Sequence, residues 1–126
     1  MTTQSFTPEN SAVWFEIPVT DLARSKAFYG AVLQNELEDQ DMGPNVTAIF
    51  SPANGAGVSG HLYVGKPGVA GSGNTIHLAS PAPLEAALER VKAAGGQVVS
   101  EIIAIPSGRF AYCLDLDGNS FGLFTS

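Results

Sequence analysis

Ala111-Tyr112-Cys113-Leu114-Asp115-Leu116-Asp117-Gly118-Asn119-Ser120-Phe121-Gly122-Leu123-Phe124 reads as a strand, a tight turn and a second strand. Asp117-Gly118-Asn119 supplies the positive-φ residue that a short hairpin needs, and apolar residues flank it on both sides. Working back from this hairpin, the chain resolves into two copies of one unit.

The first copy starts after a polar arm, residues 1–11. Ala12 to Val19 is strand-like, with Pro18 near its end. Thr20-Asp21 offers a helix N-cap, and Leu22, Ser25, Tyr29, Val32 and Leu33 follow at helical spacing. Strands are expected over Glu36 to Asp41, Val46 to Phe50 and Val58 to Val64, the first two joined by a Gly-Pro-Asn turn. Gly65 to Asn74 is glycine-rich and is the one credible internal linker. The pattern then restarts with a strand at Thr75 to Ala79. A helix follows from Ser80-Pro81-Ala82-Pro83, with Leu84, Leu88 and Val91 as its apolar stripe and Gly95-Gly96 as its stop. Strands at Gln97 to Ile105 and Arg109 to Leu114 lead into the hairpin and the last strand, Ser120 to Thr125.

The order is therefore β-α-β-β-β twice: module 1 over 12–64, linker 65–74, module 2 over 75–126. An offset of 62 places Leu22 on Leu84, Tyr29 on Val91, Trp14 on Ile76 and Gly60 on Gly122. Neither half is large enough to bury its own sheet face. The expected fold is α+β, with two tandem βαβββ modules whose mixed sheets form a shared concave cavity.

Composition excludes several function classes. The 126 residues suffice for one domain with its own core, and 44% hydrophobic against 14% charged describes a folded chain. Twelve acidic residues against six basic ones, a net charge of -6, repel a phosphate backbone, so no nucleic-acid partner is expected. No apolar run is long enough to span a bilayer, and the N-terminus has no signal-peptide pattern, so a cytoplasmic location and no membrane partner are expected. The single cysteine, Cys113, fits a reducing compartment and reads as a small buried hydrophobe.

Trp14-Phe15-Glu16-Ile17-Pro18-Val19-Thr20-Asp21-Leu22-Ala23-Arg24-Ser25-Lys26-Ala27-Phe28-Tyr29, with Val32-Leu33 after it, resembles the opening of the vicinal-oxygen-chelate superfamily. That group comprises glyoxalase I, bleomycin-resistance proteins and extradiol dioxygenases. Leu84 to Gly96 and the Asp115-Leu116-Asp117-Gly118-Asn119 turn are also similar to the family pattern, and together these motifs cover nearly all of the chain beyond the arm. The resemblance implies paired βαβββ modules, a homodimer, and a divalent metal held from the first and last strand of each module. Carried onto this chain, those positions fall at Trp14, about Gly60, Ile76 and Gly122. None has a ligand side chain, so the chain departs from the metal-dependent pattern, and no metal or other cofactor is expected.

Glu16 lies two residues after Trp14 and so shares its face of the strand. It is the candidate base, or a partner for a cationic ligand group; the plainer alternative is a carboxylate paired with a neighbour. Gly60 and Gly122 leave room for an organic ligand, or simply allow close strand packing. Trp14, Tyr63, Ile76, Tyr112 and Phe124 are candidate walls of the same pocket, each equally suited to the core. His61 and His77 sit beside the mapped positions, so alternation turns them away from the cavity unless bulges intervene. With such bulges, Glu16, His61 and His77 form a displaced three-ligand metal site.

Three short patterns carry no function. Gly55 to Gly60 satisfies G-x-G-x-x-G, but no helix follows to receive a pyrophosphate. The 115–119 turn lacks the spacing of a calcium loop. Asn45-Val46-Thr47 is a glycosylation triplet without a secretory route. The reading is a small-molecule-binding homodimer that works without the usual metal, with a metal- or Glu16-dependent enzyme as the alternative. A third alternative has the cavity filled and the protein acting through a partner interface.

Overall fold

In the computed structural model, residues 5–42 and 45–126 are described; the Gly-Pro step of the expected first turn lies outside them. Module 1 runs β1 (Trp14–Val19), α1 (Leu22–Leu33), β2 (Glu38–Met42), β3 (Asn45–Ile49) and β4 (Ser59–Val64). Module 2 runs β5 (Ile76–Ala79), α2 (Leu84–Ala93), β6 (Gln97–Val98), β7 (Ile103–Ile105), β8 (Gly108–Leu114) and β9 (Ser120–Thr125). The first sheet has the order β1-β4-β3-β2, and the second β5-β9-β8-β6 with β7 also on β8. In each, the outer pair is parallel, β1 with β4 and β5 with β9, and the remaining pairs are antiparallel. The duplicated α+β architecture expected from the sequence is the architecture observed.

Local chemistry explains the helix ends. Asp21 caps α1 by accepting the Arg24 N–H at 3.1 Å, and Gln34 closes it in the left-handed region at φ 51°. No side chain caps α2; Glu85 in its first turn and Arg90 and Lys92 in its last complement the helix dipole instead. Gly95 then takes φ 98°, which ends the helix. Gly96 follows because a Cβ there would strike the Phe28 ring.

The expected single strand over Gln97 to Ile105 is two short ones. The Tyr112 N–H, which an unbroken ladder would give to a backbone carbonyl, donates instead to Ser100 Oγ at 2.8 Å. Val99 N–H still donates to the Tyr112 carbonyl at 2.9 Å, and regular pairing lapses after it until β7.

One core serves both modules. Tyr29 on α1 packs against Phe50 of module 1 and Phe121 of β9, and Phe28 also meets Phe121 edge-on. Ile17 and Val19 of β1, Leu62 of β4, Leu84 and Val91 of α2, and Cys113 and Leu123 of the second sheet join the same cluster. Arg90 Nε donates to the Val32 carbonyl at 3.0 Å, tying α2 to α1. Each sheet thus spends one face on the shared core. At about 25 cal/mol per Å² of apolar surface removed from water, neither half has an alternative partner of equal worth for that face.

The 115–119 turn locks the two modules together. Asp115, buried, accepts the Tyr29 hydroxyl at 2.6 Å, the Asp117 and Asn119 N–H groups at 2.9 Å each, and Asn119 Nδ2 at 2.9 Å. Asp117 accepts from the Thr20 hydroxyl at 2.6 Å, and Asn119 Nδ2 donates to the Pro18 carbonyl at 2.8 Å. Burial and the neighbouring Asp115 carboxylate hold the Tyr29 phenol well above its usual range, so it stays a donor. Among the described residues no helix is long and apolar enough to cross a membrane.

Candidate functional site

The face of each sheet that turns away from the core carries the candidate chemistry. On β1 the alternation puts Phe15, Ile17 and Val19 toward the core and leaves Trp14 and Glu16 on the other face. Parallel pairing sets Glu16 opposite His61 and Pro18 opposite Tyr63 without interruption from Trp14 to Val19. His61 and Tyr63 therefore share the face of Trp14 and Glu16, and no bulge is involved.

The expected facing of four residues is corrected here. Gly60 does not face the cavity: a Cβ on it would collide with the Phe15 ring and carbonyl on the core side. Ile76 likewise packs against the core cluster, although it borders a groove described below. The converse holds for the histidines, expected to face away: His61 and His77 both stand on the outer faces. The cause is a register difference between modules. Glu16 pairs with His61 and His77 pairs with Gly122, so strand positions correspond at an offset of 61 while the helices correspond at 62. The connection from strand to helix is one residue longer in module 2, and one residue inverts every side chain of a strand.

His61 is the centre of the first outer face. It is 5% exposed, and both ring nitrogens are engaged. Trp14 Nε1–H donates to His61 Nδ1 at 2.9 Å, and His61 Nε2 lies 3.1 Å from Glu16 Oε1. An indole nitrogen can only donate, so Nδ1 is the unprotonated nitrogen and the ring hydrogen sits on Nε2, the nitrogen that stands beside the carboxylate. The Trp14 ring tilts over the imidazole at 5.8 Å, and Tyr63 meets its other side edge-on at 6.1 Å. The Glu16 side chain is 63% exposed, so the buried imidazole stands beside a carboxylate that solvent and solutes can reach.

Trp14 and Glu16 also border a groove of about 460 Å³ between the modules, walled by Pro18, Ile76, Ser120 and the linker residues Ser72 to Asn74. The linker has this second role because it crosses the open edge of β1. Gly71 N donates to the Gly118 carbonyl at 3.0 Å, which anchors it to the 115–119 turn.

The second outer face is aromatic. His77 meets Phe110 at 5.0 Å and Tyr112 at 5.9 Å, and Phe110 meets Tyr112 at 5.4 Å, all near edge-on. Gly122 lies directly under His77, where a Cβ would strike the imidazole. His77, Phe110 and Phe124 line an open cleft of about 620 Å³ together with Ala79 and Ile105. The expected residues Tyr112, Gly122 and Phe124 thus fall on this face, while Trp14, Glu16 and Tyr63 fall on the other. Phe110 and Ile105 were not singled out from the sequence; their antiparallel positions on β8 and β7 mark them only once the pairing is known.

Among the described residues no group of three His, Cys, Asp or Glu side chains is placed to hold an ion. Glu16 and His61 meet each other, but His77 belongs to the other sheet face, and its strand partner Gly122 offers no donor atom. Both His61 nitrogens are already engaged with protein groups. Cys113 is no nucleophile: it is buried in the core, and burial pushes its thiol up to about 11.

Comparison with known proteins gives the family. The model for the glyoxalase/bleomycin resistance protein/dioxygenase superfamily matches residues 11–123. Among curated proteins none matches the chain. Among solved structures, a glyoxalase/bleomycin resistance protein from Albidiferax ferrireducens T118 is similar at 21% identity and TM-score 0.69, over 93% of this chain and 99% of that one. TnmS3, an antibiotic-binding protein from Streptomyces sp. CB03234, is similar at 23% identity and TM-score 0.65, over 95% and 98%. The fosfomycin resistance protein FosX from Listeria monocytogenes is similar at 19% identity and TM-score 0.64, over 96% and 95%. At these identities the solved structures speak for the fold, and the match of residues 11–123 speaks for the lineage. The chain belongs to the glyoxalase/bleomycin resistance protein/dioxygenase superfamily.

Proposed function

We propose that this protein binds a small organic molecule in the groove between its modules, without a metal, and that Glu16 is the polar anchor of the site. The observation that carries this reading is the 3.1 Å approach of an exposed carboxylate to a buried His61 that Trp14 holds by a hydrogen bond, at the edge of that groove. Such a carboxylate is oriented before the ligand arrives, which lowers the ordering cost of binding. Trp14, 45% exposed beside it, offers a flat apolar surface for the rest of the molecule. The net charge of -6 favours a cationic or neutral ligand over an anionic one. An antibiotic-binding protein and a fosfomycin resistance protein on the same fold support a small-molecule role.

A homodimer acting in the cytoplasm is part of the same reading. The two outer faces stay open in one chain, with Trp14 on one and Ile103 and Ile105 exposed on the other. A second copy would cover them and enclose the ligand.

One observation favours an enzyme as the second reading. A carboxylate in contact with a histidine and bordering a groove can also accept a proton from a bound substrate. The test is a thermal-shift screen of small metabolites and drug-like amines on the wild type and Glu16→Gln. Ligands that raise the wild-type Tm and lose that effect in the variant support the anchor. A screen in which no compound class stabilises either protein removes the binding reading. Consumption of a stabilising compound, tested by mass spectrometry, decides between binder and enzyme.

A further inference from the structure

We infer that Trp14 is a positioning residue: by donating its indole N–H to His61 Nδ1 it fixes the imidazole as the Nε2–H tautomer, and so presents Glu16 to a ligand cation that itself donates hydrogen bonds, such as an ammonium or amidinium. The ligand half of this inference rests on the small-molecule reading above; the tautomer half does not.

The geometry leaves little freedom. His61 has one neutral form compatible with an indole donor at 2.9 Å from Nδ1, and that form carries its hydrogen on Nε2. Nε2–H then meets Glu16 Oε1 at 3.1 Å. Oε1 faces His61 Nε2, Oε2 has no hydrogen-bond partner among the described residues, and the side chain is 63% exposed. What remains available to a ligand is an exposed carboxylate oxygen beside an aromatic ring. An acceptor of this kind suits a group with N–H hydrogens and positive charge; a carboxylate or phosphate would be repelled. A purely structural Trp14 would fill space equally well as Phe, whereas this role needs the indole N–H itself.

The tautomer is read directly from long-range ¹H–¹⁵N correlation of the imidazole in ¹⁵N-labelled protein, with His77→Gln used to separate the two histidines. In the wild type at neutral pH, His61 shows a pyridine-like Nδ1 and a pyrrole-like Nε2. In Trp14→Phe both nitrogens move toward the average of a tautomer mixture. The probes for the ligand class are benzamidinium and its neutral counterpart benzamide, followed by amide shift changes. Benzamidinium binds the wild type more tightly than benzamide, loses about tenfold in Glu16→Gln, and loses about threefold in Trp14→Phe.

A wild-type His61 protonated on Nδ1 at neutral pH overturns the inference without any variant, so misfolding of Trp14→Phe cannot shelter it. An unchanged tautomer in Trp14→Phe also overturns it. If the tautomer behaves as stated but benzamidinium binds no better than benzamide, the cationic ligand class is wrong. The thermal-shift screen above then decides separately whether the groove binds any small molecule.

Discussion

The two outer faces occupy equivalent positions of a duplicated unit and have opposite character. Offset by 61, Glu16 corresponds to His77, His61 to Gly122 and Tyr63 to Phe124. On the first sheet the paired strands hold a carboxylate 3.1 Å from an imidazole that accepts a hydrogen bond from an indole. On the second, the same positions hold an imidazole over a glycine, surrounded by aromatic rings that contact it edge-on. The core sides of the two modules, by contrast, are both apolar: Val19, Val32 and Leu62 in one, Leu84, Val91 and Leu123 in the other, all fully buried, with Leu62 and Leu123 at equivalent positions. Both modules give apolar side chains to the shared core while their outer faces differ, so the polar chemistry is concentrated on one half.

The largest expected effect comes from uncoupling the halves. Asp115→Ala leaves the Tyr29 hydroxyl and two backbone N–H groups without their buried acceptor, and should cost about 3 kcal/mol in urea unfolding. A loss near zero would mean that the turn does not join the modules energetically. The two glycines give a sharper contrast. Gly60→Ala drives a methyl into the Phe15 carbonyl and ring and should cost about 2 kcal/mol. Gly122→Ala meets only the half-free His77 ring and should cost about 1 kcal/mol, with the displacement visible in His77 ring shifts. Equal costs would contradict the assignment of Gly60 to the core side and Gly122 to the outer face.

Smaller still, Glu16→Gln should change stability by less than about 0.5 kcal/mol, because the side chain is largely exposed. Its effect belongs to ligand binding. At the periphery, Arg109 grips Glu85 with two hydrogen bonds, at 2.9 and 3.0 Å, and these hold the carboxyl down at about 2 against an ordinary 4.5. A carboxyl lowered by folding stabilises the native state above its unfolded value and loses that contribution as pH falls from about 4.5 toward 2. Because this pair is exposed and screened, the effect on stability is slight. Arg109→Ala should return the Glu85 titration, followed by carboxyl ¹³C shifts, to the usual carboxylate range.

Much of this was legible in the sequence. The helices announced themselves through Asp21, the Leu84–Leu88–Val91 stripe and Gly95, and the hairpin through Asp117-Gly118-Asn119, because these signals act over a few residues. The equivalence of the two modules was also visible, since the shared core constrains both to the same apolar spacing. Which face His61 and Gly60 occupy was not. Strand facing depends on parallel pairing between segments more than forty residues apart, and on a single extra residue in the 80–83 connection. An offset taken from the helices passes over that residue and inverts the outer face. The break in the strand at Ser100 was hidden for a related reason: a side chain replaces a ladder acceptor only once β8 lies alongside it.

The account stands most directly on Trp14, the only tryptophan in the chain and a direct neighbour of the Glu16–His61 pair. Its fluorescence can be followed while a compound found by thermal shift is titrated into the wild type and into Glu16→Gln. The account predicts a saturable change in the wild type that weakens about tenfold in the variant. A compound that stabilises the protein while leaving Trp14 emission unchanged, or that binds both proteins equally, would contradict a ligand site anchored on Glu16.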